Sequence, residues 1–158
     1  SGCATAPKHA YDGDPLPLDQ VATIKGTSTD WSWSAGSTTF TILRVDDRRL
    51  CHFFSSPPSV AYVQPGPHIL VIQGANGNVT FTLFFDLIAN AGETYLVRGE
   101  TRGIVVHYKF WIEQQSTSNT VAGPIYYTPS LFRNGFSTNR PPAFRDEPSA
   151  QGQLSDDQ

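Results

Sequence analysis

Apolar and polar residues alternate with a period of two along much of the chain between Val21 and Gln114. The clearest example is the segment 79–88, VTFTLFFDLI. Successive side chains of a β-strand point to opposite faces, so this spacing predicts a strand with one buried face. The predicted buried face holds Val79, Phe81, Leu83, Phe85 and Leu87, and the other face holds Thr80, Thr82, Phe84 and Asp86.

Other β-rich runs follow one another between turns of Gly, Pro and Asn. They are QVATIKG (20–26), TTFTILRVDD (38–47), RLCHFF (49–54), SVAYV (59–63), HILVIQG (68–74), a short run around residues 95–97, and IVVHYKFWIEQ (104–114). No stretch shows the 3.6-residue period of a helix. Strands at spacings of about 8–12 residues predict an antiparallel β-sandwich, immunoglobulin-like or similar, with an open barrel as the alternative fold.

Composition divides the chain into three parts. Residues 1–19 are rich in Pro, Ala, Asp and Gly, and their prolines exclude a helix interior, so we expect an extended leader over this range. Residues 20–132 form the predicted single sandwich domain, with GPIYYTPSLF (123–132) packing on it as an edge segment or ordered loop. Residues 133–158 are poor in aliphatic side chains and cannot offset an ordering entropy of about 1–2 kcal/mol per residue, which predicts a flexible tail.

The charge argues against nucleic acid as the main partner, and the hydropathy argues against a membrane-spanning segment. The 158 residues carry 11 Lys and Arg against 14 Asp and Glu, a formal net charge of −3, without the basic stripe that nucleic acid requires. No apolar run reaches the roughly 18–20 residues that span a bilayer. The sequence contains no Met, and we expect a signal peptide to have been removed from its start.

The start of the chain, SGC, places small residues directly before Cys3. It resembles the end of a bacterial lipobox, in which the signal peptide is cut before a cysteine that then carries the lipid. The next residues fit the pattern Y-x-G-x-x-x-P-x-x-x-V-A-x-I through Tyr11, Gly13, Pro17, Val21, Ala22 and Ile24.

This stretch resembles small envelope lipoproteins of Gram-negative bacteria over roughly residues 3–97. Those proteins carry PG-x-H and AG-x-x-Y turns, matched here by PGPH (65–68) and AGETY (91–95). Their VDG-like turn corresponds to VDD (45–47), which lacks the glycine. The resemblance implies a palmitate-bearing lipoprotein, anchored at Cys3 and facing the periplasm, on the outer membrane in preference to the inner membrane. It implies no specific chemistry.

Two other roles for Cys3 stay open: a disulfide with Cys51, or an incidental terminal thiol. Lipidation would supply membrane affinity of about 0.8 kcal/mol for each buried CH₂ group, so the protein would be anchored without spanning. Cys51 would then act as a small buried hydrophobe.

No residue pattern indicates catalysis, a metal or another cofactor. His9, His52, His68 and His107 lack metal-ligand spacing, and neighbours such as Cys51 and His52 point to opposite faces of a strand. We expect His68, which follows the PGP turn, to hydrogen-bond a loop carbonyl. There is no Gly-x-Ser-x-Gly elbow. The carboxylates Asp46, Asp47 and Glu93 lie in predicted turns, where such groups are normally solvated.

Trp31 and Trp33 are the strongest candidates for ligand contact. Their period-two spacing places both indoles on one face beside Asp30. Exposed, they would form a stacking platform for sugar rings with Asp30 as the hydrogen-bonding partner; buried, they would form a corner of the core. The pair Tyr126 and Tyr127 has the same two interpretations.

These patterns together predict a non-catalytic, membrane-anchored envelope lipoprotein whose sandwich is a structural or protein-interaction module. The expected partners are the membrane, through the anchor at Cys3, and an envelope protein. A glycan- or peptidoglycan-binding sandwich that uses Trp31 and Trp33 is the alternative, and a hydrolase ranks third.

Overall fold

A computed structural model of the chain describes residues 6–30, 37–51, 56–76, 79–102 and 107–127. Throughout these ranges the regular structure is β-strand, which confirms the all-β class predicted from the period-two pattern. The strands are β1 Lys8–His9, β2 Ala22–Gly26, β3 Ser28–Asp30, β4 Ser37–Val45, β5 Arg48–Arg49, β6 Val60–Val63, β7 Gly66–Asn76, β8 Val79–Ala89, β9 Thr94–Arg102, β10 His107–Gln114 and β11 Asn119–Tyr127. Within the same ranges, no helix is long and apolar enough to cross a membrane.

The strands form two sheets, an arrangement consistent with a β-sandwich. One sheet has the order β1-β6-β2-β9-β10-β11, and the other has the order β3-β4-β7-β8 with β5 paired to β4. The sequence predicted antiparallel pairing, and the five-stranded sheet has it throughout. The six-stranded sheet is mixed, because β1 lies parallel to β6 and β2 parallel to β9. The chain builds the other sheet between β2 and β9, so no hairpin turn sets their relative direction.

The predicted faces of β8 are confirmed by burial. Phe81, Leu83, Phe85 and Leu87 are all buried in one continuous core, while Thr80 and Asp86 are exposed. For Val79, the first residue of β8, the structure describes the main chain but not the side chain. The core-facing side of this strand therefore follows directly from the spacing in the sequence.

Aromatic rings join the two sheets at the centre of the core. The ring centroid of Phe110, on β10, lies 4.9 Å from that of Phe81 on β8 and 5.9 Å from that of Phe40 on β4. Gly99 makes room for this cluster, since a Cβ atom there would lie 3.0 Å from the Phe110 ring and 3.1 Å from the Phe40 ring. Tilted and edge-on pairs of this kind add favourable contact beyond the area that they bury.

Part of the predicted leader belongs to the folded domain. Lys8 and His9 form β1 and pair with Ala61 and Tyr62 of β6. Tyr11 is buried, and its hydroxyl accepts a hydrogen bond from the Leu16 main-chain N–H at 3.0 Å. A strand of only two residues shows no repeat in the sequence, so the Pro- and Asp-rich composition around it gave no indication of β1. The predicted edge segment after residue 122 is observed in part, as the end of edge strand β11.

Candidate functional site

Two open cavities adjoin near the turn between β4 and β5 and share Asp46 and His68. We call the first, of about 800 Å³, the β8 groove. It is lined by Asp46, Pro67, His68, Ile69, Asp86, Leu87, Ile88, Asn90 and Val121. We call the second, of about 750 Å³, the polar cavity. It is lined by Ala10, Tyr11, Asp12, Val45, Asp46, Asp47, Arg48, Gln64 and His68.

Asp46 separates the two cavities and extends the pairing of β4 with β7. Its backbone adopts a left-handed conformation with φ of 50°, which aspartate tolerates better than most residues. Its N–H donates to the Ile69 carbonyl oxygen at 2.8 Å, and its Oδ1 accepts from the Ile69 N–H, also at 2.8 Å. The carboxylate therefore replaces the main-chain acceptor that the turn removes.

Both ring nitrogens of His68 are engaged with oxygen atoms of the protein. Nδ1 lies 2.7 Å from Asp46 Oδ2, and Nε2 lies 2.7 Å from the Gln64 carbonyl oxygen. The predicted hydrogen bond to a loop carbonyl is thus confirmed. Because a general base needs a nitrogen within reach of substrate, this arrangement suits a structural histidine.

We expect Asp46→Ala to lower the free energy of unfolding by about 1–3 kcal/mol, because it leaves the Ile69 N–H without its acceptor. Chemical denaturation of the variant and the parent protein measures the difference. Asp47→Ala is the control, since the Asp47 side chain is fully exposed and 3.5 Å from Arg44. Equal losses in the two variants would contradict the role given to Asp46.

One ion pair joins the N-terminal segment to the turn beside the polar cavity. Arg48, which follows the β4–β5 turn, pairs with Asp12 of the segment before β2. The Asp12 side chain is almost wholly exposed, and pairs of this kind contribute little to stability. Two of the charged side chains that line the polar cavity are therefore already paired with each other.

The β8 groove has a different character, because it exposes large apolar side chains. Ile88 is 73% exposed and Val121 is 39% exposed. Ile88 lies near the end of β8, at the edge of the five-stranded sheet, and Val121 lies on β11, at the edge of the other sheet. The groove thus runs along the place where the two sheet edges meet.

On the groove side, β8 has no partner strand among the described residues. Ile69 directs both its N–H and its C=O to Asp46, away from β8. Asp86 lies opposite Ile69, so this is a non-hydrogen-bonded pair and the N–H and C=O of Asp86 point away from β7. The carbonyl of Ile88, two residues on, points the same way and accepts from the Tyr95 hydroxyl at 3.5 Å.

Glu93, one of the turn carboxylates, makes local contacts that serve structure. The Ser116 hydroxyl donates to its Oε2 at 2.7 Å. This hydrogen bond, with a second from the Gln114 side chain, holds the pKa of Glu93 below its usual value. The ionised form of Glu93 therefore persists to lower pH than that of an ordinary glutamic acid.

Most of the sequence-predicted site residues fall outside the part of the chain that the structure describes. These are Cys3, Trp31, Trp33 and His52. Asp30 ends β3 and pairs with Ser37 of β4, but its side chain is not among those described. β3 and β4 are antiparallel neighbours in the five-stranded sheet.

The remaining candidates are separate from one another. Cys51 is partly exposed and forms no disulfide within the described ranges. In those ranges no three His, Cys, Asp or Glu side chains come close enough together to hold a metal ion. Tyr126 is 70% exposed on edge strand β11, which excludes the core interpretation for this residue.

Sequence reasoning missed the β8 groove, because its walls come from strands far apart in the chain. One signal was present: Ile88 continues the outward series of Thr80, Thr82, Phe84 and Asp86, where a polar residue is expected.

Comparisons of the chain with protein-family models, curated proteins and solved structures give no match.

Proposed function

We propose that this protein is a bacterial envelope lipoprotein, anchored by acyl chains on Cys3, whose β-sandwich is a structural or protein-interaction module. It would face the periplasm, on the outer membrane in preference to the inner one, and it would catalyse no reaction. The proposed type of sandwich is immunoglobulin-like or similar. The observation that carries the interaction role is the edge of β8 beside an exposed apolar groove, an edge that no other strand of the described residues covers.

The length of this edge supports the proposal. β8 has 11 residues, whereas exposed edge strands in soluble proteins are usually short, bulged or charged to prevent pairing with other chains. Strand addition by a partner uses such an edge, with main-chain hydrogen bonds for affinity and side-chain pockets for specificity. Ile88, at 73% exposure, offers one such apolar contact.

The contacts of His68, which lines both cavities, also favour a binding role over catalysis. Both of its ring nitrogens are occupied by oxygen atoms of the protein. The lipid anchor rests on the small residues before Cys3 and on the leader pattern that follows it.

The anchor is tested by expressing the precursor in a Gram-negative host with a palmitate analogue. We expect labelling and detergent partitioning, and we expect Cys3→Ser to abolish both. The interaction role is tested in the same cells with a photo-crosslinking residue placed, one at a time, at Ile88, Lys8 and Tyr126. Crosslinks to an envelope protein at one or more of these edge positions support the role.

Three results would contradict the proposal. Labelling that survives Cys3→Ser would remove the anchor, and absence of protein crosslinks at all three positions would remove the interaction role. Binding of peptidoglycan fragments that is lost in Trp31→Ala would replace that role with the glycan-binding alternative.

A further inference from the structure

We infer that the β8 groove binds an extended segment of a partner protein in which a Lys or Arg residue adjoins two consecutive apolar residues. This inference rests on the proposed function, because it names the chemistry of the partner that the interaction module would take. The groove residues that carry it are Pro67, Ile69, Asp86, Ile88 and Val121.

The first step is the main chain at Asp86, which has no partner strand on its groove side among the described residues. Its N–H and C=O point to the open side of β8, as the contacts of Ile69 with Asp46 require. An extended segment alongside β8 would satisfy both groups with its own main chain. It would also face β11, which supplies Val121 from the other sheet.

The second step is the alternation of side chains along an added strand. A residue opposite Asp86 shares its face of the sheet, and the residue two positions along shares the face of Ile88. The residue between them points to the core side, where Val121 lies. Exposed Ile88 and Val121 therefore favour apolar residues at the other two of these three positions. The apolar pair follows the Lys or Arg if the added strand runs parallel to β8, and precedes it if the strand is antiparallel.

The third step is charge. The groove is lined by the carboxylates of Asp46 and Asp86 and by no Lys or Arg among the described residues. The Asp46 carboxylate already contacts the Ile69 N–H and the His68 ring. Exposed Asp86 is therefore the carboxylate that is accessible to a partner. A cation opposite Asp86 selects the partner, since complementary charge at an interface rim gives specificity more than affinity.

The same charge favours a different protein over a second copy of this chain. Two copies that pair through β8 about a two-fold axis near Asp86 would bring two carboxylates together. Like charges directly opposite each other across a strand pair are destabilising. The acidic position thus acts against self-pairing and in favour of a basic partner.

The probe is the synthetic peptide acetyl-STVVKVVTSG-amide, which carries an apolar pair on each side of its Lys and so fits a strand in either direction. Its Lys is replaced by Glu or Gln in two matched peptides. Each is titrated into the full ¹⁵N-labelled chain and followed by the amide signals of Asp86 and Ile88. We expect saturable shifts with the Lys peptide and at least about tenfold weaker binding of the Glu peptide.

Charge recognition is isolated by Asp86→Asn. This variant should weaken binding of the Lys peptide about three- to tenfold and change binding of the Gln peptide less than about twofold. Asp14→Asn, in the exposed segment before β2, is the matched control and should change neither.

Four results would overturn the inference. They are no saturable shift with the Lys peptide at about 5 mM, equal affinity for the Lys and Glu peptides, shifts confined to β11, and concentration-dependent shifts of Asp86 without peptide, which would indicate a second copy. If any of these occurs while edge positions still crosslink to an envelope protein, the interaction role stands and only this assignment fails.

Discussion

Phe110→Ala is expected to lower the free energy of unfolding by about 3–5 kcal/mol. Phe110 is fully buried and touches the rings of Phe40 and Phe81, which belong to the facing sheet. Removing its ring leaves a cavity that these two strands cannot close without moving the sheets together. Equilibrium denaturation in urea, with a two-state fit, measures the loss.

Tyr126→Ala is the matched control, because it also removes an aromatic ring from the six-stranded sheet. Tyr126 is 70% exposed, so we expect a change within about 0.5 kcal/mol. Similar losses in the two variants would mean that the rings do not form the contact between the sheets.

Gly26→Ala is expected to cost about 3 kcal/mol or more. Gly26 ends β2, directly before the chain crosses to β3 in the other sheet, and its N–H donates to the Ser59 carbonyl oxygen at 2.7 Å. A Cβ atom there would overlap the carbonyl oxygen of Phe40 and lie 2.7 Å from the carbonyl carbon. Because the obstacle is main chain, no side-chain rotation relieves it. Thermal unfolding followed by circular dichroism measures the effect.

Gly13→Ala separates this clash from ordinary backbone strain. Gly13 has φ of +94°, and a Cβ atom there would meet nothing within 4 Å. The expected loss is about 1–2 kcal/mol, from the left-handed conformation alone. If Gly26→Ala were no more damaging than Gly13→Ala, the close approach of β2 to Phe40 would be contradicted.

Local patterns made much of the fold predictable. The alternation in 79–88 placed Phe81 and Phe85 on the buried side of β8, because the direction of a side chain in a strand depends only on its position in the repeat. The hydrogen bond of His68 to a loop carbonyl was predictable for a similar reason, since both partners lie within four residues in the PGP turn.

Long-range pairing was not predictable in the same way. The parallel alignment of β2 with β9 joins residues about 70 positions apart, such as Ile24 and Tyr95, and no local repeat encodes it. The β8 groove depends likewise on Ile88 and Val121, which neighbour each other only after both sheets form. Asp46 appeared as a solvated turn carboxylate, whereas its acceptor role depends on where β7 lies.

If Cys3 carries the proposed lipid, the pairing of β1 with β6 limits how far the domain can lie from the lipid surface. With Lys8 fixed in the sheet, only five Cα steps connect Cys3 to the folded body, a reach of at most about 18 Å. A leader free over all of residues 1–19 would allow roughly 55 Å or more. A lipid on Cys3 would therefore hold the domain against the headgroups. Neighbours anchored in the same leaflet would then meet it at high local concentration.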